Sequence, residues 1–179
     1  MTQWAITFLS ITILCSTTLH GQSDTIAIKA GLGIDNIIIR KSSETTLRNY
    51  KNEKFTKDRG TGIACGTYGS RRDRWIKYQS KSIGLTFELR TSLARWPFQI
   101  FHKIRLEKII VTKTAKTIDG LIVGKSDRLD VMALYGQQPD WRDARYISYT
   151  NKGIAFRFND GGTIVEIEIF VPYDSKSDF

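Results

Sequence analysis

The sequence predicts an α+β fold: two tandem units, each one helix and three antiparallel strands, packed as a paired sheet with the helices on one side. Three observations predict it. The run Ile34–Ser42 (IDNIIIRKS) returns 84 residues later as Ile118–Ser126 (IDGLIVGKS). A second stretch, Trp75–Phe87, matches Tyr146–Phe158 at an offset of 71, so the first copy carries about 13 extra residues between its helix and its strands. In each copy the opening leads into a stretch with helix-start residues, and later stretches alternate apolar and polar residues at the period of a strand.

Taken in chain order, the first 22 residues (MTQWAITFLSITILCSTTLHGQ) carry no charge, and Trp4–Cys15 forms a twelve-residue apolar run. That length suits the core of a signal peptide and is too short to span a bilayer. Residues 1–21 are therefore expected to be a signal peptide cleaved after Gly21, giving an exported, periplasmic or extracellular protein. Lipidation at Cys15 is a second reading, although Leu14 stands where lipoproteins place a small residue. After cleavage only Cys65 remains, so the mature chain has no intramolecular disulfide.

Residues 22–112 form the expected first unit. Ile26, Ile28 and Ile37–Ile39, set off by Gly31 and Gly33, suit short strands around a turn. Ser42 is placed to cap a short helix running to about Tyr50. A basic insertion follows near 51–74, and within it Gly60–Gly66 reads as a loop. Strands are expected at Ile76–Gln79, Ile83–Leu89 and about Ile104–Thr112, the last two joined by the aromatic stretch Arg95–His102.

The second unit, residues 113–179, is marked more sharply. Ser126 is the expected cap and Asp127 complements the helix dipole in the first turn. The helix should end at Gly136 in a left-handed cap, with Pro139 barring its resumption. Asn151-Lys152-Gly153 and Asn159–Gly162 read as turns of a three-stranded meander over Tyr146–Tyr149, Ile154–Phe158 and Thr163–Val171. In its last strand Val165, Ile167, Ile169 and Val171 share one face, opposite Glu166 and Glu168.

From Asp119 to Val171 the pattern is a Gly-x-x-x-Gly-x-Ser opening, a helix ending in Tyr-Gly, a nearby Pro, and a Tyr-x-x-x-Gly-Ile-x-Phe hairpin. This resembles the α/β units of BamE/SmpA-type outer-membrane lipoproteins and of the β-lactamase inhibitory protein type. The first copy departs from the pattern, with Arg40 in the place of Gly124 and no Gly with a nearby Pro closing its helix. Those proteins bind other proteins and catalyse nothing, so the resemblance implies a binding module. It carries over no binding residue, because the shared positions are turns and core.

The formal charge is +9. Residues 22–100 hold 15 basic and 7 acidic side chains, against 12 and 11 in residues 101–179. Such asymmetry fits a polyanionic partner or serves solubility. Lys51, Lys54, Lys57 and Arg59, then Arg71, Arg72, Arg74 and Trp75, bracket the insertion. Basic groups beside aromatic rings grip phosphates or sugars through charge and stacking. Lys54, Lys57, Arg71, Arg72, Arg74 and Trp75 are therefore the candidate anion-binding residues. The opposing reading is a solvated, mobile loop.

Catalytic signals are thin. His20 falls in the expected signal segment and leaves His102 as the single histidine of the mature chain. A zinc site needs several convergent ligands, and a Cys65–His102 nucleophilic pair would need a third residue to orient the base. Gly60–Gly66 lacks the Lys-Ser/Thr of a phosphate loop. Asp127, Asp130, Asp140 and Asp143 sit where helix caps and loops place acids, and Asp35 and Asp119 where a turn needs one. No catalytic residue, metal or cofactor is assigned, and no nucleic-acid motif is present. The expected role is a non-enzymatic exported binding module presenting a β-sheet surface to a protein partner. A hydrolase acting on envelope polymers, and an anionic glycan or lipid binder associating with a membrane surface, stay open.

Overall fold

The computed structural model describes residues 25–66, 69–92 and 104–173, with side chains described at all of these except 62–73, Ser92 and Trp141. The expected signal segment with Cys15 and His20 lies outside the described residues, as do Tyr68, His102 and the aromatic stretch at 95–102. So do the side chains of Cys65, Arg71 and Arg72.

In chain order come β1 (Ile26–Lys29), β2 (Gly33–Ile34) and β3 (Ile37–Ile38), then helix α1 (Glu44–Arg48) and a 3-10 turn at Tyr50–Asn52. They are followed by β4 (Thr56–Gly66), β5 (Gly69–Ser80), β6 (Leu85–Ser92), β7 (Arg105–Val111) and β8 (Ala115–Thr117). Helix α2 (Arg128–Tyr135) precedes β9 (Trp141–Arg142), β10 (Tyr146–Tyr149), a 3-10 turn at Thr150–Lys152, β11 (Ile154–Phe158) and β12 (Ile164–Phe170). The strands form a four-stranded sheet, ordered β3-β2-β1-β8, and an eight-stranded sheet, ordered β4-β5-β6-β7-β12-β11-β10-β9.

This overturns the α+β reading. The protein is mostly β, built on two sheets, and its two α-helices are only five and eight residues long. The helix signals were real but local: a cap and a few apolar residues specify one or two turns, not a layer. The strand content exceeds the expectation because the insertion is not a loop. Residues 56–66, including Gly60–Gly66, are β4, paired residue by residue with β5 from Thr56↔Gln79 to Gly66↔Gly69. A second non-local pairing, β1 parallel to β8 through Ile26↔Ala115 and Ile28↔Thr117, builds the smaller sheet.

The side chains of Tyr78 (β5), Phe87 (β6), Ile109 (β7), Ile169 (β12) and Ile154 (β11) lie in one buried row across the large sheet, fixed by the pairings Tyr78↔Phe87, Phe87↔Ile109, Ile109↔Ile169 and Ile169↔Ile154. They share one core with Ile26, Ile28, Ile34 and Ile37 of the small sheet, and with Leu47, Val131 and Met132 of the helices. Burying each such side chain contributes roughly 1.5–3 kcal/mol. All of this lies on one face of the large sheet.

Outward from the central β7–β12 pair, the strand order is β6-β5-β4 on one flank and β11-β10-β9 on the other. Matching bonds recur on the two flanks. The Tyr50 hydroxyl donates to Asp35 and the Tyr135 hydroxyl donates to Asp119 at 2.8 Å. Ser42 Oγ accepts from the Ile38 amide at 2.8 Å, and Ser126 Oγ from Ile122 at 3.0 Å. Both serines thus close a turn, and the caps are the next residues. Ser43 Oγ accepts from Thr46 N, and Asp127 forms a reciprocal capping box with Asp130. Helix α2 does end at Gly136, whose φ of 110° and ψ of 160° lie outside the left-handed helical well.

The correspondence fails at the hairpins. Tyr78 pairs with Phe87 but Tyr149 pairs with Ile154, so the offset of 71 does not hold through the turn. Thr150–Lys152 and the left-handed Gly153 close the second hairpin more tightly.

Candidate functional site

Strand alternation puts successive side chains on opposite faces, so the large sheet carries a second row of side chains pointing away from the core. The small sheet and both helices contribute their buried side chains to the core on the other face. By register the outer face includes Asp58, Trp75, Lys77, Gln79, Thr86, Glu88, Arg90, Lys108, Ile110, Glu166, Glu168, Phe170, Ala155, Arg157, Ser148 and Tyr146.

Two glutamates organise it. Glu88 and Glu168 are 6% and 5% exposed although they sit on the side facing away from the core. Glu88 accepts Lys77 Nζ at 2.8 Å and has Arg90 Nη2 at 3.8 Å. Glu168 accepts Lys108 Nζ at 2.9 Å and has Arg157 Nη2 at 3.7 Å and the Tyr146 hydroxyl at 3.5 Å. Arg157 is further held by Glu166 through Nε at 3.0 Å, which raises its already high pKa. A nearly buried carboxylate must be paired, so each fixes cations that would otherwise sway in solvent.

Each flank adds an aromatic ring to this arrangement. Lys77 Nζ lies 5.7 Å from the centre of the Trp75 ring, and the Arg157 guanidinium 5.5 Å from that of Tyr146. Burial, followed by the Glu168 charge, pushes the Tyr146 hydroxyl up to about 12, so it remains a neutral donor. Trp75 is seated because Gly60 opposite it has no side chain: a Cβ there would fall 2.6 Å from Cε2 of the indole. Asp58, Trp75, Lys77, Glu88 and Arg90 line a depression of about 220 Å³ on this face.

A second hollow lies at the other side of the β4 edge. Arg48, Lys54, Phe55, Lys57 and Tyr78 line a groove of about 520 Å³. Glu44, at the start of α1, sits at the back of this group. It accepts the Tyr78 hydroxyl and Lys57 Nζ, the latter at 3.0 Å, and these two bonds hold its carboxyl below the usual glutamate value. Lys57 also lies 5.3 Å from the Tyr78 ring centre.

The six residues expected from the sequence are thus not one patch. Lys54 and Lys57 line the groove, while Trp75 stands on the outer face of the sheet. Arg74 follows the alternation of Tyr78 and Ile76, on the face opposite Trp75, and is exposed. Arg71 and Arg72 lie on β5, paired with Ala64 and Ile63. Most of the site escaped sequence reasoning, including Lys77, Arg90, Lys108, Tyr146 and Arg157 beside the two glutamates. Glu88 and Glu168 look like ordinary strand acids until their burial is seen, and Arg48 and Phe55 flank the helix and reach the groove only through the fold. A lone Phe in the polar run 51–59 was the available signal.

Among the described residues no three His, Cys, Asp or Glu side chains converge as metal ligands. Nor is any helix among them long and apolar enough to cross a membrane. No family profile, curated protein or solved structure matches this chain.

Proposed function

We propose that the protein is a binding module whose outer sheet face docks a protein partner, and that it acts without catalysis. One observation carries this reading: two nearly buried glutamates on the face turned away from the core clamp Lys77, Lys108 and Arg157 into fixed positions beside Trp75 and Tyr146. A face serving only solubility gains nothing from immobilised charges. A binding face does, because side chains already ordered lose less entropy on association. Aromatic residues and arginine are also the side chains that dominate protein interfaces.

The sign of the charge favours protein over polyanion. Glu88, Glu166, Glu168 and Asp58 alternate with the cations across the sheet, and such a mosaic complements another mosaic, not a uniformly negative polymer. The resemblance of residues 119–171 to protein-binding envelope modules points the same way, as does the uncharged apolar segment at residues 1–22. The hydrolase reading has less support, since Glu88 and Glu168 are both engaged in ion pairs.

The test is affinity retention of envelope and secreted proteins from the native source on immobilised protein. Trp75→Ala and Tyr146→Ala should each release the retained partner at least tenfold more readily, as for an interface anchor worth more than about 1.4 kcal/mol. Retention that both variants leave intact would place the partner elsewhere.

A further inference from the structure

We infer that the groove beside α1 is a separate binding site for a soluble sugar-sized phosphate monoester. Its volume of about 520 Å³ lies within the range of roughly 300–1,000 Å³ typical of small-molecule sites. Three cations, Arg48, Lys54 and Lys57, surround it, with the rings of Phe55 and Tyr78. That composition sets it apart from the outer sheet face, where both signs alternate.

The three cations are unequally committed. Lys57 is engaged by Glu44 at 3.0 Å. Neither Arg48 nor Lys54 lies within 4.0 Å of a described carboxylate. Arg48 offers a planar fork suited to two oxygens of one oxyanion, and Lys54 a point charge for the third. A dianionic monoester matches this better than a carboxylate, which has one charge and two oxygens. The Phe55 ring is held against Phe87, with centroids 5.5 Å apart, and gives a fixed apolar wall for a sugar ring attached to the ester. Glu44 is the one described carboxylate bonded to the lining residues, and it competes with the ligand for Lys57.

That competition supplies the discriminating test. Titrate the protein calorimetrically with inorganic phosphate, glucose 6-phosphate and phosphatidylglycerol vesicles at low salt, where screening is weakest. Glucose 6-phosphate should bind, and more tightly than inorganic phosphate because it alone reaches Phe55. Arg48→Ser combined with Lys54→Ser should weaken it at least tenfold while the melting temperature holds, both residues being exposed. Glu44→Gln should strengthen it several-fold by releasing Lys57, an outcome no purely structural role for these residues produces. Absence of binding to the sugar ester, binding to vesicles alone, or equal binding by the double variant would overturn the assignment. Loss of affinity in Glu44→Gln with an unchanged fold would overturn it too.

Discussion

The flank built from α1 and β4–β7 and the flank built from α2 and β9–β12 use the same internal bonds and differ at their edges. Both hold a tyrosine to an aspartate behind the sheet, and both seat an aromatic ring beside a cation on the outer face. Yet the edge strand has eleven residues in the first flank and two in the second. The long edge carries Lys57 and Arg59, and beside it opens the basic groove. In the second flank the edge is short and α2 is the longer, fully boxed helix. Scaffold bonds therefore repeat while the chemistry that distinguishes the flanks collects where strand length is free to vary.

The hairpin glycines give the largest test of that comparison. Gly84 and Gly153 each precede the inner strand of their hairpin, with φ of 64° and 65°. A Cβ at Gly153 would meet the Phe170 carbonyl oxygen and the Gly31 Cα, the latter at 2.7 Å. At Gly84 it would meet mainly the Lys113 and Thr112 side chains, which can move. Gly153→Ala should cost about 3 kcal/mol or more in urea unfolding, and Gly84→Ala nearer 1–2 kcal/mol, where left-handed strain dominates. Equal losses would mean that both turns relax alike.

Next in size come the outer-face carboxylates. Glu168→Gln leaves Lys108 and Arg157 without their shared counter-charge and should cost about 2 kcal/mol, less than a deeply buried pair because both cations are partly exposed. Glu88→Gln should cost somewhat less, since Lys77 and Arg90 are more exposed partners than Lys108. Thermal melts at low and high salt would check this order, with the differences shrinking at high salt.

The matched tyrosines come third. Burial, reinforced by the neighbouring aspartate, raises the pKa of both Tyr50 and Tyr135 above the ordinary value of 10.0. A raised folded pKa means their contribution is complete below about pH 10 and is lost as pH rises above it, because the unfolded chain ionises first. Tyr50→Phe and Tyr135→Phe should each cost about 1 kcal/mol at neutral pH and should soften the alkaline loss. Asp35 keeps other partners, the Ala27 amide at 2.9 Å and Lys51 at 3.9 Å, so the Tyr50 change should be the milder. Urea midpoints measured from pH 7 to 11 decide it.

The smallest expected effect is on Arg74, whose exposed side chain should leave stability within about 0.5 kcal/mol when replaced by Ser.

Local features were legible in the sequence and long-range ones were not. The strands of the second meander and the helix stop at Gly136 follow from alternation and a cap residue, and the chain places them as expected except at Val165, which a bulge leaves exposed while Ile164 is buried. The caps themselves were misread by one residue, because Ser42 and Ser126 spend their hydroxyls on turn amides and leave capping to Ser43 and Asp127. Strand β4 was hidden because an edge strand needs one bonded neighbour and no apolar face, so Thr61-Gly62 and its surroundings look like a loop. Each helix signal specifies one or two turns and not a layer, which is why the fold is mostly β where the pattern suggests α+β. Burial of Glu88 and Glu168 was invisible because it depends on pairing across four strands, and the groove because Arg48 and Tyr78 are thirty residues apart.

The central claim is that the outer face of the large sheet is where a protein partner docks. A photo-crosslinking residue placed at Gln79 or Thr86 samples that face directly, and one at Thr45 on α1 samples the opposite side. The account predicts that crosslinks to one native partner form from Gln79 and Thr86, are absent from Thr45, and disappear when Trp75→Ala is added. Crosslinks that form equally from Thr45, or that survive Trp75→Ala unchanged, would contradict it.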